Sequence, residues 1–204
     1  MLMLFILVLL NLGISFWNAR QAGLAWSESK GVGGWIRVIV WCAAIQAAVG
    51  FTSAYAIILG TLAYQFGYLP PQAIQFMMNL TYVLIIVPAL GSGLAITIHS
   101  WIAFAREKSL MNLGMAGWNT FAQAYNMYNA YQSFGPALAN VMDNVGSMFS
   151  SDGDSDSSTA RVLVLVAIAV LAGLLTTSVI VQRYASSLPV SDEVRYARRD
   201  LEYR

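Results

Sequence analysis

The sequence predicts an all-α, multi-pass helical membrane protein with four transmembrane helices, five being the alternative. Three observations lead there. Val38 to Ala105 contains no Asp, Glu, Lys or Arg. At about 1.5 Å rise per residue this run is roughly 100 Å of helix, too long for one crossing of a roughly 30 Å hydrocarbon core and suited to two. The chain is 58% hydrophobic and 10% charged, where a soluble domain carries about a quarter charged residues. Val162 to Val181 is a further charge-free apolar run of single-span length.

Residues 1–18 read as the first span, closed by Trp17 at an interface. A signal peptide is the alternative, but no basic n-region or small-x-small cleavage site marks one. No basic residue precedes the span, so its N-terminus is expected on the non-cytoplasmic side. Residues 19–35 form a connection with Arg20 and Lys30 against Glu28, and Arg37 follows. The positive-inside rule makes it cytoplasmic. Gly31, Gly33 and Gly34 make its second half a turn, and their order beside Lys30 is not that of a phosphate-binding loop.

The first arm of the hairpin, residues 36–66, carries small residues at four-residue spacing: Ala43 and Ala47, Ala44 and Ala48, Gly50 and Ala54. Such a face lets another helix approach closely. Gln46, Thr52 and Ser53 are read as hydrogen-bonding glue between helices. Residues 67–72, with Pro70-Pro71, make a short uncharged turn on the non-cytoplasmic side. Residues 73–105 form the second arm, with a kink expected at Pro88 and a close-packing cluster at Gly91-Ser92-Gly93. His99 is a candidate functional intramembrane residue; an interfacial position beside Trp101 is the plainer reading.

Arg106-Glu107-Lys108 returns the chain to a polar, cytoplasmic surface. Within residues 106–149, Ser109 to Met142 is again charge-free but much more polar. Trp118, Phe121, Tyr125 and Tyr128 recur on one helical face, Asn119, Gln123, Asn126 and Asn129 on another. Gly135-Pro136 is expected to stop the pattern. Three readings compete: an amphipathic helix at the membrane interface, a helix docked on protein partners, and a polar fifth crossing lining a pore or shielded by other subunits. The first is taken, because several Asn and Gln residues in one span are costly. Trp118, Asn119, Phe121, Gln123, Tyr125, Asn126 and Tyr128 are the candidate partner-docking or pore-lining residues.

Residues 150–160 are a low-complexity acidic linker. Asp152, Asp154 and Asp156 resemble the start of a calcium loop, but its Gly and closing Glu positions hold Ser157 and Leu163. Residues 161–183 are the fourth span, with Ala169 and Gly173 as a small-residue packing pair. Residues 184–204 are expected to form a charged tail helix.

Composition narrows function as well. A net charge of +1 offers no field for nucleic acid. Cys42 is the one cysteine and His99 the one histidine, so neither a disulfide nor a conventional zinc site can be built from one chain. No catalytic constellation or cofactor fingerprint appears, and no cofactor or small-molecule substrate is expected. The expectation is a non-enzymatic integral membrane subunit of a larger assembly, such as a secretion, conjugation or other envelope machine. Its expected location is a bacterial inner or plasma membrane, its partners lipids, other membrane proteins and copies of itself. The alternative is a small channel, holin-like pore or transporter built by homo-oligomerisation.

Overall fold

The computed structural model describes residues 2–29, 34–150 and 157–187, and among them helices joined by short turns are the only regular structure. Five helices follow one another: α1 (Leu2–Glu28), α2 (Trp35–Gln65), α3 (Pro71–Arg106), α4 (Leu110–Ser150) and α5 (Ser157–Ser187). Of these, α1, α2, α3 and α5 are long and apolar enough to cross a membrane.

Each turn has a local cause. Gly34 at the start of α2 and Gly67 after its end adopt φ of 81° and 65°, where a side chain would be strained. Pro71 opens α3, where a missing N–H costs nothing. The α3–α4 turn is the three residues Glu107 to Ser109. Ser109 caps α4, its Oγ accepting from the Asn112 N–H at 3.2 Å.

Three boundaries differ from those the sequence predicts. The first helix continues to Glu28 instead of yielding to a polar connection near residue 19. Its extra turns are packed: Ala19 and Ala22 are buried, and Gly23 lies so close to α5 that a Cβ would stand 2.7 Å from the Val181 carbonyl. Gly135-Pro136 does not stop α4, which runs on to Ser150. Proline frees a single carbonyl, that of Gln132, and Gln132 is exposed where solvent or headgroups reach it. α5 begins at Ser157, inside the stretch read as linker. The acidic run itself and the charged tail helix lie outside the described residues.

The helices alternate in direction. α2 packs on α1, α3 and α5, α1 also packs on α5, and α4 packs on α3. The larger core cluster joins α2, α3, α4 and α5 through Ala56, Phe76, Met77, Val141, Val162 and Ala169. A second, of Ala19, Ala47 and Phe51, joins α1 to α2. At one end of the bundle Arg161 on α5 donates to the Tyr68 carbonyl at 3.1 Å. Its guanidinium lies 4.8 Å from the centre of the Tyr68 ring. At the other end Trp26 on α1 meets Trp41 on α2 edge-on, 5.6 Å between rings.

The antiparallel α3–α4 pair is tied along much of its length. Trp101 Nε1 donates to Thr120 Oγ1 at 2.9 Å, Gln123 Nε2 to the Leu90 carbonyl at 3.1 Å, and the Tyr82 hydroxyl to the Asn129 carbonyl at 3.3 Å. α4 therefore covers the same depth as α3. Charge separates between the two ends. Arg37, Arg106, Lys108 and Arg183 lie toward one of them together with Glu28 and Glu107, which leaves it net positive, the basic end. The other holds Asp143 and Arg161.

Candidate functional site

Polar residues recur on one face of each of four helices, and those faces converge. Asn11, Ser15 and Asn18 are spaced by four and three on α1; Gln46, Gly50 and Ser53 repeat that spacing on α2. α3 contributes Tyr82, Ala89, Gly93 and Thr97, and α4 Asn119, Gln123 and Asn126. Together they line a cavity of about 470 Å³ midway along the bundle. α2 and α3 form its floor, α1 and α4 its opposite walls. Ile14 on α1 and Trp118 and Tyr125 on α4 border the mouth and are 53%, 60% and 59% exposed. The cavity is thus a groove that opens sideways.

Its floor is fixed by hydrogen bonds around Pro88. Gln46 Nε2 donates to the Ala89 carbonyl at 2.6 Å and to Ser92 Oγ at 2.9 Å, and the Ser92 hydroxyl donates to the Pro88 carbonyl. α3 stays continuous through Pro88. From the other side Gln123 binds the Leu90 carbonyl. The Thr97 hydroxyl donates to the Gly93 carbonyl at 2.9 Å and the Asn119 carbonyl at 3.2 Å.

The walls are different. The side chains of Asn11, Asn18, Asn119 and Asn126, all half-buried, make no hydrogen bond to another described residue. Gln123 is 6% exposed and its Oε1 has no partner. Among the described residues, no Asp, Glu, Lys, Arg, His or Cys lines the groove. It offers neutral donors and acceptors in number and no acid, base or thiolate. Two other grooves, one between α2 and α5 beside Trp41 and one between α1 and α2 beside Phe5, are almost wholly apolar.

The structure sorts the residues singled out from the sequence. Asn119, Gln123 and Asn126 line the groove and Trp118 and Tyr125 border it, while Phe121 and Tyr128, equally exposed, point elsewhere. His99 is away from the groove, its Nδ1 accepting from Trp35 Nε1 at 3.2 Å. Ala47, Ala54 and Ala169 are fully buried, and Ala43 is half-buried. A Cβ on Gly50 would strike Ser15 Oγ, one on Gly93 Gln123 Oε1, and one on Gly173 Thr52. Gly91 is exposed with open space around it. Asn11, Ser15, Asn18, Tyr82 and Thr97, which the sequence did not single out, also line the groove. The four-and-three spacing of Asn11, Ser15 and Asn18 was the available signal.

No protein-family model, curated protein or solved structure matches this chain.

Proposed function

We propose that this chain is a five-crossing, non-enzymatic membrane subunit that works by receiving another membrane component in the groove between α1 and α4. Four of the crossings are the apolar helices. The fifth is α4, and its two faces support that reading. Asn119, Gln123 and Asn126 turn toward α3 and the groove. Leu110, Met111, Trp118, Phe121, Tyr125 and Tyr128 turn outward, all more than half exposed. Polar groups inside and apolar groups outside is the arrangement hydrocarbon requires. Five crossings also put Arg37, Arg106, Lys108 and Arg183 on one side and the acidic linker on the other, so the basic end is cytoplasmic by the positive-inside rule.

One observation carries the functional reading: four asparagine side chains without hydrogen-bond partners among the described residues line a groove that opens sideways at mid-depth. In hydrocarbon each unmet amide costs several kcal/mol. A lipid tail supplies no hydrogen bonds, so the groove calls for a hydrogen-bonding occupant. This makes the chain a component of a larger assembly, and a secretion, conjugation or other envelope machine is a suitable setting. Purification from native membranes in mild detergent, with sizing and identification of whatever co-purifies, tests it. The expected result is a stable particle heavier than one chain. A clean monomer with no partner would sink the reading.

A second reading has its own support. A charge-free amide lining also suits a water-filled path, and hence a channel or transporter. Solute flux in liposomes that disappears with Asn119→Leu and Asn126→Leu would favour it over the first.

A further inference from the structure

We infer that the occupant of the groove is the same groove of a second copy, the two chains forming an isologous dimer about an axis normal to the membrane. This rests on the groove reading above and names its partner.

The argument begins with the chemistry of the walls. Every amide carries both donors and an acceptor, so a face of amides is complementary to itself. A charged face is not, because like charges would meet across the axis. Among the described residues, none that is charged lies in the walls or mouth. The charge condition for self-pairing is therefore met at the groove. Two-fold interfaces need this self-complementarity, since the same patch serves both subunits.

The position of the groove fits the same symmetry. Two copies inserted by the same rules share one orientation in the bilayer, so their basic ends lie on one side. Only an axis along the membrane normal relates such copies as a closed pair. That axis brings a sideways-facing groove at mid-depth onto its counterpart at equal depth. The mouth supplies suitable anchors: Trp118 and Tyr125 are large, exposed and able to hydrogen-bond, the residue types that carry binding energy at interfaces. The apolar grooves beside Trp41 and Phe5 lack this drive, because acyl chains satisfy them equally well. Pairing sets the mouth of each copy against the other, lets Asn11, Asn18, Asn119 and Asn126 share donors and acceptors across the axis, and closes both grooves off from lipid. The site is incomplete in a single copy.

The test uses the full chain in native membranes, with Cys42→Ala as background and single cysteines at the mouth. Trp118→Cys and Tyr125→Cys should form disulfide-linked pairs of exactly one mass, two chains, under mild oxidation. Leu175→Cys, on the outer face of α5 and 65% exposed, should not. Native mass measurement in lipid nanodiscs should give two chains for the unmodified protein and one for the double variant Asn119→Leu/Asn126→Leu. Equal linking from Leu175→Cys, or a folded monomer in nanodiscs, would overturn the dimer. An adduct between a mouth cysteine and a different protein would also overturn it, yet leave the assembly reading standing. Mouth cysteines that take up a membrane-impermeant maleimide and never link would overturn the dimer and turn the groove reading toward a water-filled path.

Discussion

Gln123 on α4 fills the space that a side chain on Gly93 of α3 would need. A Cβ at Gly93 would run into Gln123 Oε1 and stand 3.2 Å from Gln46 Nε2. The absence of a side chain at one residue of α3 thus lets amides from α2 and α4 meet over the backbone next to Pro88.

Glycine substitutions should rank by what they meet. Gly91→Ala meets nothing within 4 Å and should be neutral or stabilising by up to about 1 kcal/mol through helix propensity. Gly93→Ala should cost about 1 kcal/mol, since the groups it displaces are the ends of flexible side chains. Gly173→Ala would stand 2.9 Å from the Thr52 nitrogen and 3.0 Å from the Ala48 carbonyl. Backbone cannot step aside, so a loss of about 2–3 kcal/mol is expected. Unfolding in detergent, with the three variants compared side by side, checks the order. Equal effects at Gly91 and Gly173 would refute it.

The hydrogen bond from Gln46 to Ser92 ties α2 to the middle of α3 at 2.9 Å. Interhelical bonds of this kind contribute about 0.6 kcal/mol on average in membrane proteins, with an upper range near 1.7. A double-mutant cycle of Gln46→Leu and Ser92→Ala should give a coupling energy in that range. A coupling of zero would mean the two side chains do not interact.

These contacts show what the sequence makes legible. The spans could be read because long charge-free runs have few alternatives in water, and Pro70-Pro71 left one place for α2 to end and α3 to begin. The continuation of α1 past Asn18 could not. It depends on Ala19, Ala22 and Gly23 meeting α2 and α5, partners that are far away in sequence. The two faces of α4 were visible as periodicities, but periodicity does not say which face turns inward. In water the aromatic face would be buried; against α3 the amides are. Asn11 and Asn18 carried no signal of their own, because their significance comes from α4 standing opposite them across the groove.

Arg161 fastens α5 to the α2–α3 turn through the Tyr68 carbonyl and ring. Arg161→Ala should lower stability by about 1 kcal/mol, combining an exposed cation–π contact with one hydrogen bond. Tyr68→Phe keeps both the ring and the backbone carbonyl and should change little, whereas Tyr68→Ala should lose the ring term alone. Thermal unfolding of the three variants separates the two contributions. A large loss in Tyr68→Phe would show that the hydroxyl matters instead.

The groove, its occupant and the orientation of the charges all depend on α4 crossing the bilayer beside α3. Site-directed labelling tests this most directly. With Cys42→Ala as background, cysteines are placed one at a time at Lys108 and Asp154, on either side of α4 in the sequence, and exposed to a membrane-impermeant thiol reagent in sealed, oriented vesicles. Five crossings predict that the two positions label from opposite sides, Lys108→Cys from the cytoplasmic one. Labelling of both from the same side would mean that α4 does not cross, and would contradict the account.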